Sequence, residues 1–144
     1  AGSLGMVGGQ VLDMMSEERQ CTEQEVLDIQ SRKTGALIKA ACVLGVLAAG
    51  GNQAQLDAAA SFADALGLAF QIRDDMLDVI GNEQELGKAV GTDNLKNTFV
   101  RLYGLDQCEQ LVQEYTQKAL NALAVFEDHR YLSDMAIQLT QRTV

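Results

Sequence analysis

The amino-acid sequence predicts an all-α fold that occupies one domain, residues 1–144. None of the 144 residues is proline, and the helix-favouring residues alanine, leucine, glutamine and glutamate are abundant. Hydrophobic residues make up 47% of the chain, which is sufficient for a globular core at this length. Apolar residues also recur at helical spacing along much of the sequence. Long, uninterrupted helices are therefore expected.

The first half of the chain contains two predicted helical segments. The stretch GMVGGQVLDMM, residues 5–15, is rich in small residues, as is typical of close helix packing, and it places Gln10 and Asp13 on one helical face. A long helix is predicted over residues 22–51, because a capping-box pattern stands at its start and two glycines stand at its end. Gly35 within it could allow a bend, or let a ligand approach the backbone.

The second half is predicted to contain further helices around one loop. A third helix is expected over residues 55–80, ended by Gly81. Residues 81–97 have three glycines, mixed charges and no clear period, so they are predicted to be mostly loop, and loops of this length are often functional. Helical spacing resumes at Thr98, and a last short helix is expected over residues 132–141.

The composition excludes several classes of function. The net charge of −9 argues against a nucleic-acid partner held by a broad basic surface. The longest apolar run, residues 40–51, has 12 residues and falls short of the ~20 that a membrane span needs, so no transmembrane helix is predicted, and no signal peptide is visible. The three cysteines are odd in number and widely spaced, which indicates neither a disulfide framework nor a zinc site and favours the reducing cytoplasm.

The stretch FQIRDDMLDVIG, residues 70–81, places three aspartates among apolar residues of a predicted helix. Successive residues of a helix are turned by about 100° around its axis. On this helix the three carboxylates and one side-chain amide therefore share one arc, and most of the apolar residues lie outside it. The residues of the arc are Gln71, Asp74, Asp75 and Asp78. We call them the aspartate arc.

A cation beside the aspartate arc would offset the repulsion between its carboxylates, which grows as they leave water. Mg²⁺ is suitable, because it is commonly held by one or two carboxylates together with water and substrate phosphate oxygens. A solvated acidic face is the alternative, and it is supported by Asp57 and Asp64, which extend the stripe toward the start of the helix. The pattern alone leaves both interpretations open.

Three of the five lysines are placed where they could face an anion: Lys33 before Thr34, Lys88 after Gly87, and Lys96 before Asn97. A lysine in such a position is more often a solvated surface charge. Only convergence of these lysines on the aspartate arc would make a site.

Four motifs follow one another along the chain: GMVGGQVLD, KTGALIKAA, FQIRDDMLDVIG and GKAVGTD. In this order and at these intervals they resemble the C-terminal half of a trans-isoprenyl diphosphate synthase of the farnesyl or geranylgeranyl diphosphate synthase type, over essentially the whole chain. The resemblance implies the C-terminal portion of an isoprenoid-synthase-type helical bundle around a deep apolar pocket. It also implies a Mg²⁺-dependent prenyltransferase that condenses isopentenyl diphosphate with an allylic diphosphate.

The resemblance implies metal-binding roles for aspartates. Asp74, Asp75 and Asp78 resemble the family's second aspartate-rich motif, whose first and last members face Mg²⁺ bound to the allylic diphosphate. Asp93, in the GTD sequence, resembles a partner of the metal cluster, and Asp13 matches a motif that lines the same cavity.

Other positions match residues that contact the diphosphate in the family: Lys33, Thr34, Gln71 and Lys88. Gln10 matches the cavity-lining motif and is included among the substrate-binding residues. Lys33 and Lys88, together with Asp74 through its metal, are implied to act in catalysis, because positive charge stabilises the departing diphosphate. An apolar wall would shelter the allylic cation.

The chain also departs from the family pattern. Asp93 is followed by Asn94 and Leu95 before Lys96, so Lys96 does not match the family's second loop lysine. The family's N-terminal half has no counterpart here, and with it are absent the first aspartate-rich motif, the residues that hold isopentenyl diphosphate and those that set product length. The chain therefore carries about half an active site and is predicted to be inactive alone.

Two consequences and two alternatives follow from this incompleteness. A homodimer, or pairing with the missing half, is expected, because apolar faces of helices over residues 36–49 and 55–80 should lack partners. A non-catalytic helical fragment or interaction subunit of the same fold is one alternative function, and another terpenoid enzyme such as a cyclase is a weaker one.

His129 is predicted on the surface, and Cys42 and Cys108 are predicted to be packing residues.

Overall fold

The computed structural model describes residues 2–17, 19–86 and 98–143. Within these ranges the regular structure is helical and includes no strand, which confirms the predicted all-α class. The α-helices are α1 Met6–Ser16, α2 Glu23–Gln30, α3 Ala36–Ala48, α4 Gln53–Leu86, α5 Phe99–Tyr103, α6 Leu105–Ala122 and α7 Arg130–Gln141. A π-helical segment, Ser31–Gly35, joins α2 to α3, and a 3₁₀ turn, Leu123–Val125, follows α6. No helix in these ranges has the length and apolar content to cross a bilayer.

The long helix predicted over residues 22–51 is present as α2, the π segment and α3. Its start is a complete capping box, in which the Glu25 amide donates to Thr22 Oγ1 at 3.3 Å and the Thr22 amide donates to Glu25 Oε2 at 2.9 Å. Its end is at Gly50, whose φ of 72° lies in the left-handed region that glycine adopts without steric cost. Local sequence signals therefore set both ends of this helix.

The predicted end of the third helix at Gly81 is wrong, because α4 continues to Leu86 and is 34 residues long. Gly81 keeps a negative φ, so it does not turn the chain. A single glycine inside a helix costs only about 1 kcal/mol relative to alanine, too little to end a helix held by tertiary contacts along its length. The rest of the predicted loop, residues 87–97, lies outside the described residues.

The helical region after Thr98 is divided where the sequence analysis expected continuity. Gly104 has a φ of 77° and separates α5 from α6. The last helix begins at Arg130, two residues before the predicted start at residue 132. His129 directly precedes it and is partly exposed, with its Nδ1 3.0 Å from Ser133 Oγ.

Helix α4 is central to the fold, packing against α3, α6, α7 and the π segment. One core cluster joins α4 to α2, α5 and α6, and it consists of Cys21, Val26, Ile29, Ile72, Met76, Val79, Phe99, Val100, Cys108 and Val112. A second cluster joins α4 to α6, the 3₁₀ turn and α7, and it consists of Phe62, Ala65, Leu66, Ala119, Leu123 and Ala136. Cys108 is fully buried and Cys42 packs at the edge of the second cluster, as predicted.

Two glycines bring neighbouring helices into contact with the π segment. A Cβ on Gly9 of α1 would lie 2.6 Å from the Lys33 backbone nitrogen, and a Cβ on Gly67 of α4 would lie 3.2 Å from Gly35 Cα. The sequence left open whether Gly35 serves a bend or a ligand. In the structure, a Cβ on Gly35 would meet only Ser31 Oγ, at 3.9 Å, so Gly67 and Gly9, rather than Gly35, let α4 and α1 lie close to the π segment.

Within the described residues, exposed apolar side chains are concentrated on two helices, α3 and α1. Helix α3 has no buried residue, and Leu37, Leu44 and Leu47 are 43%, 62% and 52% exposed, in agreement with the face predicted to lack a partner. Helix α4 differs from the prediction, since nearly all its described apolar residues are covered within the chain. The second exposed face belongs instead to α1, through Val7, Val11, Met14 and Met15.

Candidate active site

Lys33 and Thr34 lie in the π segment, where the wider turn interrupts the regular helix. Such π turns within α-helices occur frequently at functional sites. The Lys33 Nζ donates to Asp13 Oδ2 on α1 at 2.7 Å, and both side chains are partly exposed. Gln10 lies one turn before Asp13 on α1 and is exposed. The ammonium group of Lys33 is therefore held in place by a carboxylate and remains accessible to solvent.

A chain of hydrogen bonds connects the π segment to α4 and α5. Thr34 Oγ1 donates to Gln71 Oε1 at 3.0 Å, and Gln71 Nε2 donates to Asp75 Oδ1 at 3.3 Å. The other Asp75 oxygen, Oδ2, accepts from the Phe99 backbone amide at 3.0 Å. Asp75 thus fixes the first turn of α5 against α4, immediately after residues 87–97.

The three aspartates of the aspartate arc lie in different environments. Asp75 is only 7% exposed, and protein donors occupy both of its oxygens. Asp74 is partly exposed, and Asp78 is exposed. Among the three aspartates, Asp75 is the nearest on the helical wheel to the apolar residues Ile72 and Val79, and this position could have indicated its burial. Its assignment as a metal ligand stays a prediction, while its hydrogen bonds give it a positioning role.

The pKa of Asp75 is raised from its ordinary value of 3.8 to about 6, chiefly by burial. The hydrogen bonds from Phe99 and Gln71 oppose this shift, and the negative charges of Asp74 and Asp78 contribute to it. Because the folded chain keeps this proton to a higher pH than the unfolded chain, the free energy of unfolding should fall as pH rises from about 4 to about 6.

An Asp75→Asn variant should lack this pH dependence. Asparagine cannot ionise, yet it can still accept from the Phe99 amide. From pH 4 to pH 7, the free energy of unfolding of the wild type should fall by about 2–3 kcal/mol relative to the variant. Urea unfolding of both proteins across this pH range measures the difference, and a constant difference would contradict the assignment.

Asp74 has a partner that the sequence analysis missed. Arg142, which directly follows α7, donates through Nη2 to Asp74 Oδ1, and its guanidinium carbon lies 4.6 Å from the centre of the Phe70 ring. The pairing of Lys33 with Asp13 was also not anticipated. Arg142 and Asp74 are 68 positions apart in sequence, and Lys33 and Asp13 are 20 apart. Helical spacing does not predict pairs at such separations.

The donor set suits Mg²⁺ in part. Asp74 and Asp78 are one helical turn apart on α4, at least partly open to solvent, and provide the hard oxygen ligands that Mg²⁺ prefers. Within residues 2–17, 19–86 and 98–143, no three His, Cys, Asp or Glu side chains are grouped so that they could hold a metal ion. Further oxygens would therefore have to come from water, a diphosphate or another part of the protein.

The described residues join part of the predicted site. Hydrogen bonds connect Thr34, Gln71 and Asp75, whereas Lys33 pairs with Asp13 and Asp74 pairs with Arg142. Lys88, Asp93 and Lys96 lie outside the described residues, so their positions stay predictions.

A family model described as polyprenyl synthetase matches residues 2–130. The farnesyl diphosphate synthase of Micrococcus luteus is 40% identical over 129 residues, covering 88% of this chain and 44% of the relative. Among solved structures, a farnesyl/geranylfarnesyl diphosphate synthase from Zymomonas mobilis superposes with a TM-score of 0.84 and 31% identity, covering 96% of this chain and 46% of that one. A geranyltransferase from Helicobacter pylori, complexed with magnesium and isoprenyl diphosphate, has a TM-score of 0.72 and 28% identity over 96% of this chain and 48% of its own. The chain thus spans less than half the length of each.

Proposed function

We propose that this chain, which belongs to the polyprenyl synthetase family, provides the allylic-diphosphate half of a prenyl-transfer site. The reaction would be condensation of isopentenyl diphosphate with an allylic diphosphate to a longer prenyl diphosphate. The observation that carries this proposal is the junction of the π segment with α4, where Thr34, next to Lys33 in sequence, is hydrogen-bonded to Gln71, one helical turn before Asp74.

Each side chain has a task that follows from its chemistry. The Lys33 ammonium group, which donates to Asp13 at 2.7 Å, would also donate to the diphosphate or would exchange Asp13 for it. Gln71 would donate its remaining Nε2 hydrogen to a phosphate oxygen, while Thr34, which donates its hydroxyl hydrogen to Gln71 Oε1, would orient Gln71. Gln10 and Lys88 are proposed as further diphosphate contacts from their motif positions alone.

Asp74 and Asp78 would hold Mg²⁺, with Asp75 retained in the proposal as a third member of the motif. When bound, the metal would neutralise charge on the diphosphate as it leaves. In the same step the allylic C–O bond breaks and its electron pair departs with the diphosphate, so cationic donors held in place beforehand lower the barrier. Lys33 meets this requirement because Asp13 fixes its position before substrate arrives.

The exposed apolar faces of α1 and α3 support a proposal about partners. Helix α1 exposes four valine or methionine side chains, and α3 exposes three leucines, each by at least 43%. Clustered apolar side chains of this kind are typical of a surface that another part of a protein covers. We propose that these faces pack against the portion of the fold that the relatives have and this chain does not span, or against a second copy. A cytoplasmic location is also proposed, because the three cysteines are odd in number and widely spaced in sequence, which indicates no disulfide framework.

Activity measurements test the proposed function directly. The 144-residue chain, incubated with Mg²⁺, isopentenyl diphosphate and a radiolabelled allylic diphosphate, should form no extended product, because it lacks half the site. A chimera in which this chain replaces the matching 129 residues of the Micrococcus luteus farnesyl diphosphate synthase should form it. Product from the isolated chain would refute the half-site argument. A folded chimera without activity, beside an active parent synthase, would refute the proposed function.

A further inference from the structure

Two arginines lie beside the aspartate arc, Arg73 on α4 itself and Arg142 after α7, and they differ in how many hydrogen bonds they make. Arg73 donates through Nε to the Thr140 carbonyl oxygen at 2.6 Å and through both terminal nitrogens to Glu109 at 2.8 and 2.9 Å. Its side chain is only 12% exposed. This arginine ties α4 to α6 and α7, and its bonding geometry is that of a permanent structural contact.

Arg142 is bonded much less completely. One terminal nitrogen, Nη2, pairs with Asp74, and the guanidinium group stacks over the Phe70 ring. Its Nε is buried and finds no acceptor among the described residues. A buried donor without an acceptor weakens the docked state, because the group has lost its water without gaining a partner. The contact between Arg142 and Asp74 is therefore built to be displaced more easily than the contact between Arg73 and Glu109.

We infer that Arg142 belongs to the metal site as a positioning residue that occupies Asp74 until a divalent cation takes its place. This inference rests on the proposed function, in which Asp74 is a metal ligand. The guanidinium group occupies Asp74 Oδ1, one of the two oxygens through which the carboxylate could bind a metal, and its positive charge opposes the approach of another cation to either oxygen. Meanwhile it neutralises part of the repulsion between Asp74 and Asp78, which lie one turn apart.

The arrangement has a consequence for metal affinity. An ion that binds Asp74 through Oδ1 must separate Arg142 from the carboxylate, and one that binds through Oδ2 meets the repulsion of the guanidinium group. Metal binding is then weakened, because only the fraction of protein in which Arg142 has left Asp74 can bind the ion fully, and a more stable arginine contact makes that fraction smaller. Diphosphate, by bringing its own negative charge, would favour both release of the arginine and entry of the metal.

Titration of the 144-residue chain with MnCl₂, followed by the electron paramagnetic resonance signal of free Mn²⁺, tests the inference without requiring catalysis. Arg142→Gln should tighten Mn²⁺ binding by roughly threefold to tenfold, the scale of a partly exposed ion pair joined by a cation–π contact. Arg142→Lys, which keeps the charge but not the planar group, should fall between wild type and Arg142→Gln.

Arg130→Gln is the matched control, because Arg130 is 88% exposed and pairs with Asp128 away from the aspartate arc. It removes the same charge and should leave the Mn²⁺ affinity within twofold of wild type. Equal tightening in Arg130→Gln and Arg142→Gln would show a general charge effect and overturn the inference. No tightening in Arg142→Gln would also overturn it.

An Asp74→Asn background separates failure of this inference from failure of the proposed metal site. If Asp74→Asn weakens Mn²⁺ binding while Arg142→Gln has no effect, the metal site stands and the role of Arg142 is refuted. If Asp74→Asn leaves Mn²⁺ binding unchanged, the metal site itself is refuted. If both effects appear, Arg142→Gln should give no tightening when combined with Asp74→Asn, because the two residues act through one contact.

Discussion

Asp74→Ala in the Micrococcus luteus chimera should lower kcat by about 10²–10³-fold, because preorganised charge aimed at a leaving group typically contributes that much to the rate. The loss should fall mainly on kcat, since the uncharged prenyl tail keeps its contacts and Asp74 acts on charge that develops as the C–O bond breaks. Lys33→Ala should have an effect of similar size. Steady-state kinetics with a radiolabelled allylic diphosphate measure both variants.

Asp64→Ala provides the control for this prediction. Asp64 lies on the same helix, is exposed, and pairs with Lys39 at 2.8 Å rather than facing the π segment. Its loss should change kcat by less than about twofold, because single exposed ion pairs contribute little. Full activity of the Asp74→Ala chimera, or an equal loss in Asp64→Ala, would remove the basis for placing a metal at the aspartate arc.

Phe62→Ala should destabilise the isolated chain by about 3–5 kcal/mol, the usual cost of removing a buried phenylalanine. Phe62 is 1% exposed and lies in the cluster that joins α4 to α6, the 3₁₀ turn and α7. The substitution should leave a cavity that these elements cannot close without losing other contacts. Urea unfolding followed by circular dichroism measures the loss, and a change below about 1 kcal/mol would contradict the described core.

Leu44→Ala is the matched comparison on an exposed apolar face. Leu44 is 62% exposed on α3, so its truncation should change the free energy of unfolding by no more than about 0.5 kcal/mol in dilute solution. In the chimera the same substitution should cost more, because the proposed partner surface would cover α3. Equal effects in the two proteins would count against the proposed covering of this face.

The sequence by itself determined the features that depend on short-range spacing. The capping box at Thr22 and Glu25, the terminating glycine at Gly50 and the helical character of the chain could be predicted, because the interactions that create them join residues a few positions apart. The order and spacing of the four motifs likewise identified the family. The end of α4 was predicted wrongly, because a glycine at position 81 weakens a helix locally while packing along α4 decides whether the helix continues.

Only the tertiary structure decided which members of the candidate site are accessible and what each one contacts. Sequence spacing placed Asp74, Asp75 and Asp78 on one arc, but the first turn of α5 buries Asp75 and leaves Asp78 exposed. The pairing of Arg142 with Asp74 and the seating of Gly9 against the Lys33 backbone join segments far apart in the chain. Such contacts depend on how whole helices pack, and no local pattern encodes their partners because packing depends on the shapes of both surfaces.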